Sequence, residues 1–193
     1  MTNESGSEID FVDLARRTSR SEFVARCPFP FLLGRDTLQR PTAPQRTRAN
    51  SGIDVLQRVR EMDAAKALIS EVTPPPTEIR RMMGARKPLV LPVRKRQQAF
   101  PSMITVGRTA NNDVVIPDVS ISKFHAFFRM QGDAIELADA GSRNGTAIGQ
   151  SRLPPKGDAR AVSLGDTLWF GKVELRLFDA GGCWDAFNSP VAI

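Results

Sequence analysis

Histidine is nearly absent from this chain of 193 residues; the single one is His125. Most routes to acid–base chemistry at neutral pH are thereby closed. A Ser122/His125/Asp139 triad can be drawn, but Ser122 stands three residues before His125 and there is no G-x-S-x-G elbow. His125 therefore reads as a ring that ties loop backbone to the strand below it. Cysteine is scarce too. Cys27 and Cys183 lie far apart, with no C-x-x-C and no histidine cluster, which argues against a disulfide framework or a zinc site. A cytoplasmic protein with reduced thiols is the plain expectation. No run of 18 or more apolar residues occurs, so no spanning helix is expected. Residues 1–10 are polar and acidic, which gives no expectation of a secretory signal. Glycine-rich phosphate loops are missing as well. No G-x-x-x-x-G-K-[ST] is present, and Gly141-Ser142-Arg143-Asn144-Gly145 lacks the following lysine and helix of such a loop. No enzyme, cofactor or metal centre is expected.

What is present suits a folded domain with an extension. The chain is 41% hydrophobic and 25% charged, enough to bury a core. The net charge of +6 is uneven. Residues 1–96 hold 18 Lys/Arg against 11 Asp/Glu, and residues 97–193 hold 9 against 10. Two regions of different kind follow: a basic, partly helical extension over residues 1–86 and a nearly neutral domain over 87–180, with a tail over 181–193.

Within the extension, residues 8–25 suggest a helix. Residues 27–34 hold Pro28 and Pro30 among apolar side chains and read as an extended segment docked against another part of the chain, the β-domain being one candidate. Residues 37–50 read as an irregular loop. The best helical pattern covers residues 51–72, with Ser51 as cap and Val55, Leu56, Val59 and Met62 on one face. Pro74, Pro75 and Pro76 end it, and residues 77–84 add a turn or two closed by Gly84.

From Lys87 the texture changes to short apolar stretches at 8 to 12 residue spacing, punctuated by Gly, Asp and Asn. That pattern predicts an all-β sandwich or barrel. The first run, Leu89 to Val93, contains Pro92 and reads as an edge strand. Three islands interrupt the strands: Gly107-Arg108, Ser122-Lys123-Phe124-His125 and Asn144-Gly145-Thr146. Together they offer an anion site. The Arg108 fork can take two phosphate oxygens. Ser122 adds a hydroxyl donor, Lys123 a point charge, and Asn144 both an amide donor and an acceptor for peptide backbone. Gly145 permits positive φ.

In this order the islands resemble a known family. Val106-Gly107-Arg108, then Val119-Ser120-Ile121-Ser122-Lys123-Phe124-His125-Ala126, then Gly141-Ser142-Arg143-Asn144-Gly145-Thr146, then Leu164-Gly165-Asp166 with Phe170-Gly171, are similar to a forkhead-associated (FHA) domain over residues 88–179, about half the chain. The resemblance implies an eleven-stranded β-sandwich whose loops at one end bind phosphothreonine peptides, without catalysis, as an adaptor in Ser/Thr kinase-linked signalling. It implies that Arg108 and Ser122 hold the phosphate, that Lys123 assists and that Asn144 fixes the peptide backbone. Gly107, His125 and Gly145 would shape the loops. Arg143 stands where many members have Ser or Thr, which leaves the peptide preference open.

Two other functions fit the sequence less well. A phosphate-independent structural adaptor disagrees with the joint presence of Arg108, Ser122 and Asn144. Nucleic-acid binding by the basic half lacks any clustered block of cations. The expected partner is a phosphothreonine protein: a kinase, a kinase substrate, or the chain's own arm, through Thr18, Thr42, Thr47, Thr73 or Thr77.

Overall fold

The computed structural model describes residues 9–41, 88–132 and 134–188. Two short helices, α1 (Phe11–Arg17) and α2 (Arg20–Arg26), precede eleven strands and a helix α3 (Ala180–Asn188). The six-stranded sheet runs in the order β2 (Pro88–Pro92), β1 (Phe31–Arg35), β11 (Val173–Phe178), β10 (Thr167–Phe170), β7 (Thr146–Ile148) and β8 (Ser151–Arg152). The five-stranded sheet runs β4 (Val114–Val115), β3 (Ile104–Gly107), β5 (Ala126–Gln131), β6 (Ala134–Asp139) and β9 (Arg160–Val162). Among the described strands, β3 and β4 alone pair in parallel. The expected β-sandwich is thus present.

Its core lies between the sheets and follows the alternation of the strands. Leu168 and Phe170 of β10, and Val173, Leu175 and Leu177 of β11, point inward with Val106, Phe128 and Leu137 from the facing sheet. Full burial of each such side chain contributes about 1.5–3 kcal/mol. Pro88 and Pro92 sit in the edge strand β2, where a missing N–H does no harm.

Three expectations change. The sandwich does not begin at residue 87, because β1 comes from the stretch read as an extension and lies inside the sheet, between β2 and β11. It pairs Leu32 with both Leu91 and Leu177. Leu32 enters the sandwich core, while Phe31 and Leu33 enter a second core under the helices. Burial on both faces explains why this strand shows no polar alternation. Next, the helix expected over residues 8–25 is two helices. Thr18 takes an extended backbone, and its hydroxyl donates to the Leu14 carbonyl at 2.7 Å. Ser19 then caps α2, accepting from the Glu22 N–H at 3.3 Å. Finally, most of the tail is α3, which packs on α1 and α2. The Trp184 indole donates to the Thr18 carbonyl at 3.0 Å, and the Asn188 amide to the Ala15 carbonyl at 3.0 Å. Cys27 and Cys183 are free thiols buried in this helical core, and burial raises both pKa values. The helices expected over residues 51–72 and 77–84, and the proline spacer, lie outside the described residues.

Candidate functional site

The three islands converge at one end of the sandwich. Arg108 follows β3 directly. Its N–H donates to the Ser122 carbonyl at 3.0 Å, and its Nε donates to the Ile121 carbonyl at 3.1 Å. The half-buried side chain is thus fastened at Nε, and among the described residues its two terminal nitrogens have no partner. No described carboxylate forms an ion pair with it.

Gly107 is required by close approach. A Cβ there would run into the Lys123 carbonyl and lie 2.7 Å from the Asn112 amide nitrogen. That carbonyl is held by Asn112 Nδ2 at 2.7 Å and by the Thr109 hydroxyl at 3.0 Å. The Lys123 ammonium is exposed.

Ser122 sits at the centre. Its N–H donates to His125 Nδ1 at 3.0 Å, so the ring proton is on Nε2, which donates to the Gly145 carbonyl at 3.1 Å. His125 is fully buried and bridges two islands. Burial pushes its pKa down, against the pull of the Gly145 carbonyl and the Asp139 charge. It is a strut, with both nitrogens committed. The Ser122 hydroxyl accepts from the Arg143 N–H at 3.1 Å, which leaves its own proton to donate. Arg143 therefore contributes through its backbone, and its side chain is exposed.

Asn144 is exposed, and its amide nitrogen donates to the Ser120 carbonyl at 2.6 Å. One amide N–H and the side-chain oxygen remain available. Gly145 has φ +82°, and a Cβ there would lie 2.5 Å from the Arg152 guanidinium.

Two aspartates hold these loops, and neither was singled out as structural from the sequence. Asp139 is buried and accepts from the N–H groups of Gly141 and Ser142 at 2.8 Å each, and from the hydroxyls of Ser142 and Thr146 at 2.6 Å each. Burial pushes its pKa up, but these bonds outweigh that and lower it. Ser142 therefore shapes the loop and does not face a ligand; its hydroxyl also accepts from the Gly145 N–H at 2.9 Å. Asp113 organises the next loop. It accepts from Lys95 at 2.8 Å, from Thr105 N–H at 2.8 Å, and from the N–H groups of Arg96 and Gln97 at 2.6 and 2.7 Å. Burial opposes its ionisation, but the Lys95, Thr105, Arg96 and Gln97 bonds bring its pKa to about 2. Partners 8 to 18 residues away leave no local sequence signal.

The FHA domain model matches residues 104–171, which span all three islands. An oxoglutarate dehydrogenase inhibitor of Corynebacterium jeikeium is 39% identical over 69 residues, covering 36% of this chain and 45% of that protein. The glycogen accumulation regulator GarA of Mycolicibacterium smegmatis is 32% identical over 71 residues, covering 37% and 42%. The chain thus spans less than half the length of these relatives. Among solved structures, the FHA-2 domain of the Mycobacterium tuberculosis ABC transporter Rv1747 is 31% identical, covers 45% of this chain and 77% of that one, and gives a TM-score of 0.36. Through residues 104–171, the chain belongs to the FHA domain family.

Proposed function

We propose that the loop end of the sandwich binds phosphothreonine peptides without catalysis, as an adaptor in Ser/Thr kinase-linked signalling inside the cell. The observation that carries this reading is the state of the donors. Arg108 has its terminal nitrogens open, Ser122 has a hydroxyl proton to give, and Lys123 adds a charge. Asn144 stands beside them with backbone-binding groups spare. Arg108 and Ser122 take the phosphate, and Asn144 takes the peptide backbone. Arg143 offers a further exposed cation to acidic residues in the ligand.

His125 has no role as a base here, because both ring nitrogens are occupied by backbone. Nucleic-acid binding through the basic half draws little support from the described residues. There, Arg17, Arg20, Arg26, Arg40 and Lys95 are each paired with a carboxylate. The partner is a phosphothreonine protein: a kinase, its substrate or the chain's own arm. Thr18 is a poor ligand, since its hydroxyl and carbonyl both serve the contacts of α1 and α3. Thr42, Thr47, Thr73 and Thr77 lie outside the described residues. The names of the two relatives, an inhibitor and a regulator, agree with a regulatory role.

The test is a titration of phosphothreonine peptides, with their unphosphorylated forms, against the full chain and Arg108→Ala. A charge-assisted hydrogen bond contributes about 1.5–3 kcal/mol, so the variant should bind roughly tenfold to a hundredfold more weakly with its melting temperature unchanged. Equal affinity for both peptide forms would remove the proposal.

A further inference from the structure

Ser120 is buried two residues before Ser122, and the binding reading leaves it without a task. Its carbonyl accepts the Asn144 amide at 2.6 Å, the one tether described for that exposed side chain. Its hydroxyl accepts from the Lys172 N–H at 3.1 Å and donates to Asp118 Oδ1 at 2.6 Å. Its own N–H donates to the same oxygen at 2.8 Å. Gly171 leaves room for the Ser120 carbonyl, since a Cβ there would lie 2.8 Å from it. Every polar group of Ser120 is therefore committed, and its place sets that of Asn144.

Asp118 is the next link. It is buried, and no described lysine or arginine pairs with it, so its carboxylate depends on hydrogen-bond donors. The Oδ1 atom takes both of its bonds from Ser120. The Oδ2 atom takes one, from the Gln39 N–H at 2.6 Å, 79 positions away in the chain. The Gln39 carbonyl in turn accepts from the Val119 N–H at 2.9 Å. Gln39 belongs to residues 37–41, an exposed segment that follows β1 and lies outside the region matched by the family model. Half-buried Leu38 pins this segment to the sandwich core, and the Arg40–Asp36 ion pair at 2.8 Å braces it.

The tethers of Ser122 are separate. They run to the Arg108 N–H, to His125 Nδ1 and to the Arg143 N–H. The phosphate half of the site thus hangs on one set of bonds, and the half that meets peptide backbone hangs on another.

We propose that Asp118, held by the backbone of Gln39, is a positioning residue for Asn144. The segment after β1 sets the arm of the site that grips the peptide backbone and leaves the phosphate half alone. This rests on the phosphopeptide reading and gives it a support from outside the matched region. A buried carboxylate oxygen that loses its only described donor turns to find another, and Ser120 turns with it. Asn144 then aims its spare amide N–H and oxygen away from the ligand.

The experiment uses the full chain and two ligands. One is a phosphothreonine peptide selected from a library; the other is inorganic phosphate, followed through the amide shifts of Arg108 and Ser122. Gln39→Pro deletes the N–H that Asp118 accepts. Asp118→Asn sets an NH2 group against that N–H and leaves an oxygen for Ser120. Each variant should bind the peptide roughly threefold to tenfold more weakly and bind phosphate as the wild type does. Gln39→Ala keeps the N–H and should match the wild type on both ligands. In an Asn144→Ala background neither Gln39→Pro nor Asp118→Asn should weaken the peptide further, because the residue they act through is gone. Losses that add to that of Asn144→Ala, equal losses on peptide and phosphate, or no loss in either variant would overturn the positioning role alone. Peptide binding that ignores the phosphate, or that survives Arg108→Ala unchanged, removes the phosphopeptide reading and the positioning role with it.

Discussion

The Phe31 side chain and the Asp139 side chain are almost equally hidden from water, at opposite poles of the sandwich and for opposite reasons. Phe31 lies beneath the helices in a cluster of rings, 5.2 Å from Phe11 and 5.8 Å from Phe23. The contacts of this ring are apolar, and the hydrogen bonds of Trp184 and Asn188 lie between the helices rather than on it. Asp139 accepts bonds from two backbone N–H groups and two hydroxyls, each with its own geometry. The helical pole is held mainly by area removed from water, and the loop pole by hydrogen bonds that fix the loop carrying Ser142, Arg143 and Asn144. Stability can come from either source, but the placing of a phosphate to within a fraction of an ångström needs the second.

This contrast can be broken at each pole. The largest effect is expected from Phe31→Ala, which should cost about 3–5 kcal/mol of stability by opening a cavity under α1 and α2. Phosphopeptide affinity, measured where the variant remains folded, should stay within about twofold of wild type, because no loop contact of the site runs through that cavity. Asp139→Asn comes next. It removes the charge from bonds worth about 1.5–3 kcal/mol. Unlike Phe31→Ala, it should lower urea stability and phosphopeptide affinity together, since the Arg143 N–H that orients Ser122 belongs to the loop Asp139 holds. Unchanged affinity in Asp139→Asn would show that the loop is placed by something else.

The smallest and most graded effect is that of pH. His125 is depressed below 6.5, so below that value the unfolded chain takes up the proton more readily than the folded one. Stability should fall as pH drops through 6.5, by at most about 1.4 kcal/mol per pH unit. Asp113, at about 2 when folded against 3.8 ordinarily, contributes fully above 3.8, and its contribution is lost as pH falls toward 2. Urea melts at pH 7, 5 and 3 should show a shallow decline followed by a steeper one. Amide exchange should show the loop pole losing protection before β1.

The same division explains what could be read from the sequence. The strands of the sandwich announce themselves because their turns need special residues: Gly132 at positive φ turns β5 into β6, Gly165 at positive φ leads from β9 of one sheet to β10 of the other, and Pro92 marks an edge. The islands are legible for the same reason; Gly107 and Gly145 are glycines because a side chain would collide there. The strand β1 was harder to read because both its faces are buried, so the usual alternation never appears. The break between α1 and α2 turns on two cap bonds within an otherwise helical pattern. The work of Asn112, Asp113 and Asp139 depends on partners brought together only by folding. The bond between Gln39 and Asp118 is likewise invisible until two loops meet.

The strand order carries a last consequence, for the ribosome. The strand β1 is made early, yet its neighbours in the sheet are β2, more than fifty residues later, and β11, which ends at Phe178. The helices α1 and α2 wait longer still, since α3 is the last described element to emerge. At about 5–20 residues per second, the phenylalanines of the helical pole stay without their final partners for on the order of ten seconds or more during synthesis. The apolar segments of α1, α2 and β1 are translated before the strands and helix that cover them, so they stay uncovered while the loops that would read a phosphate emerge.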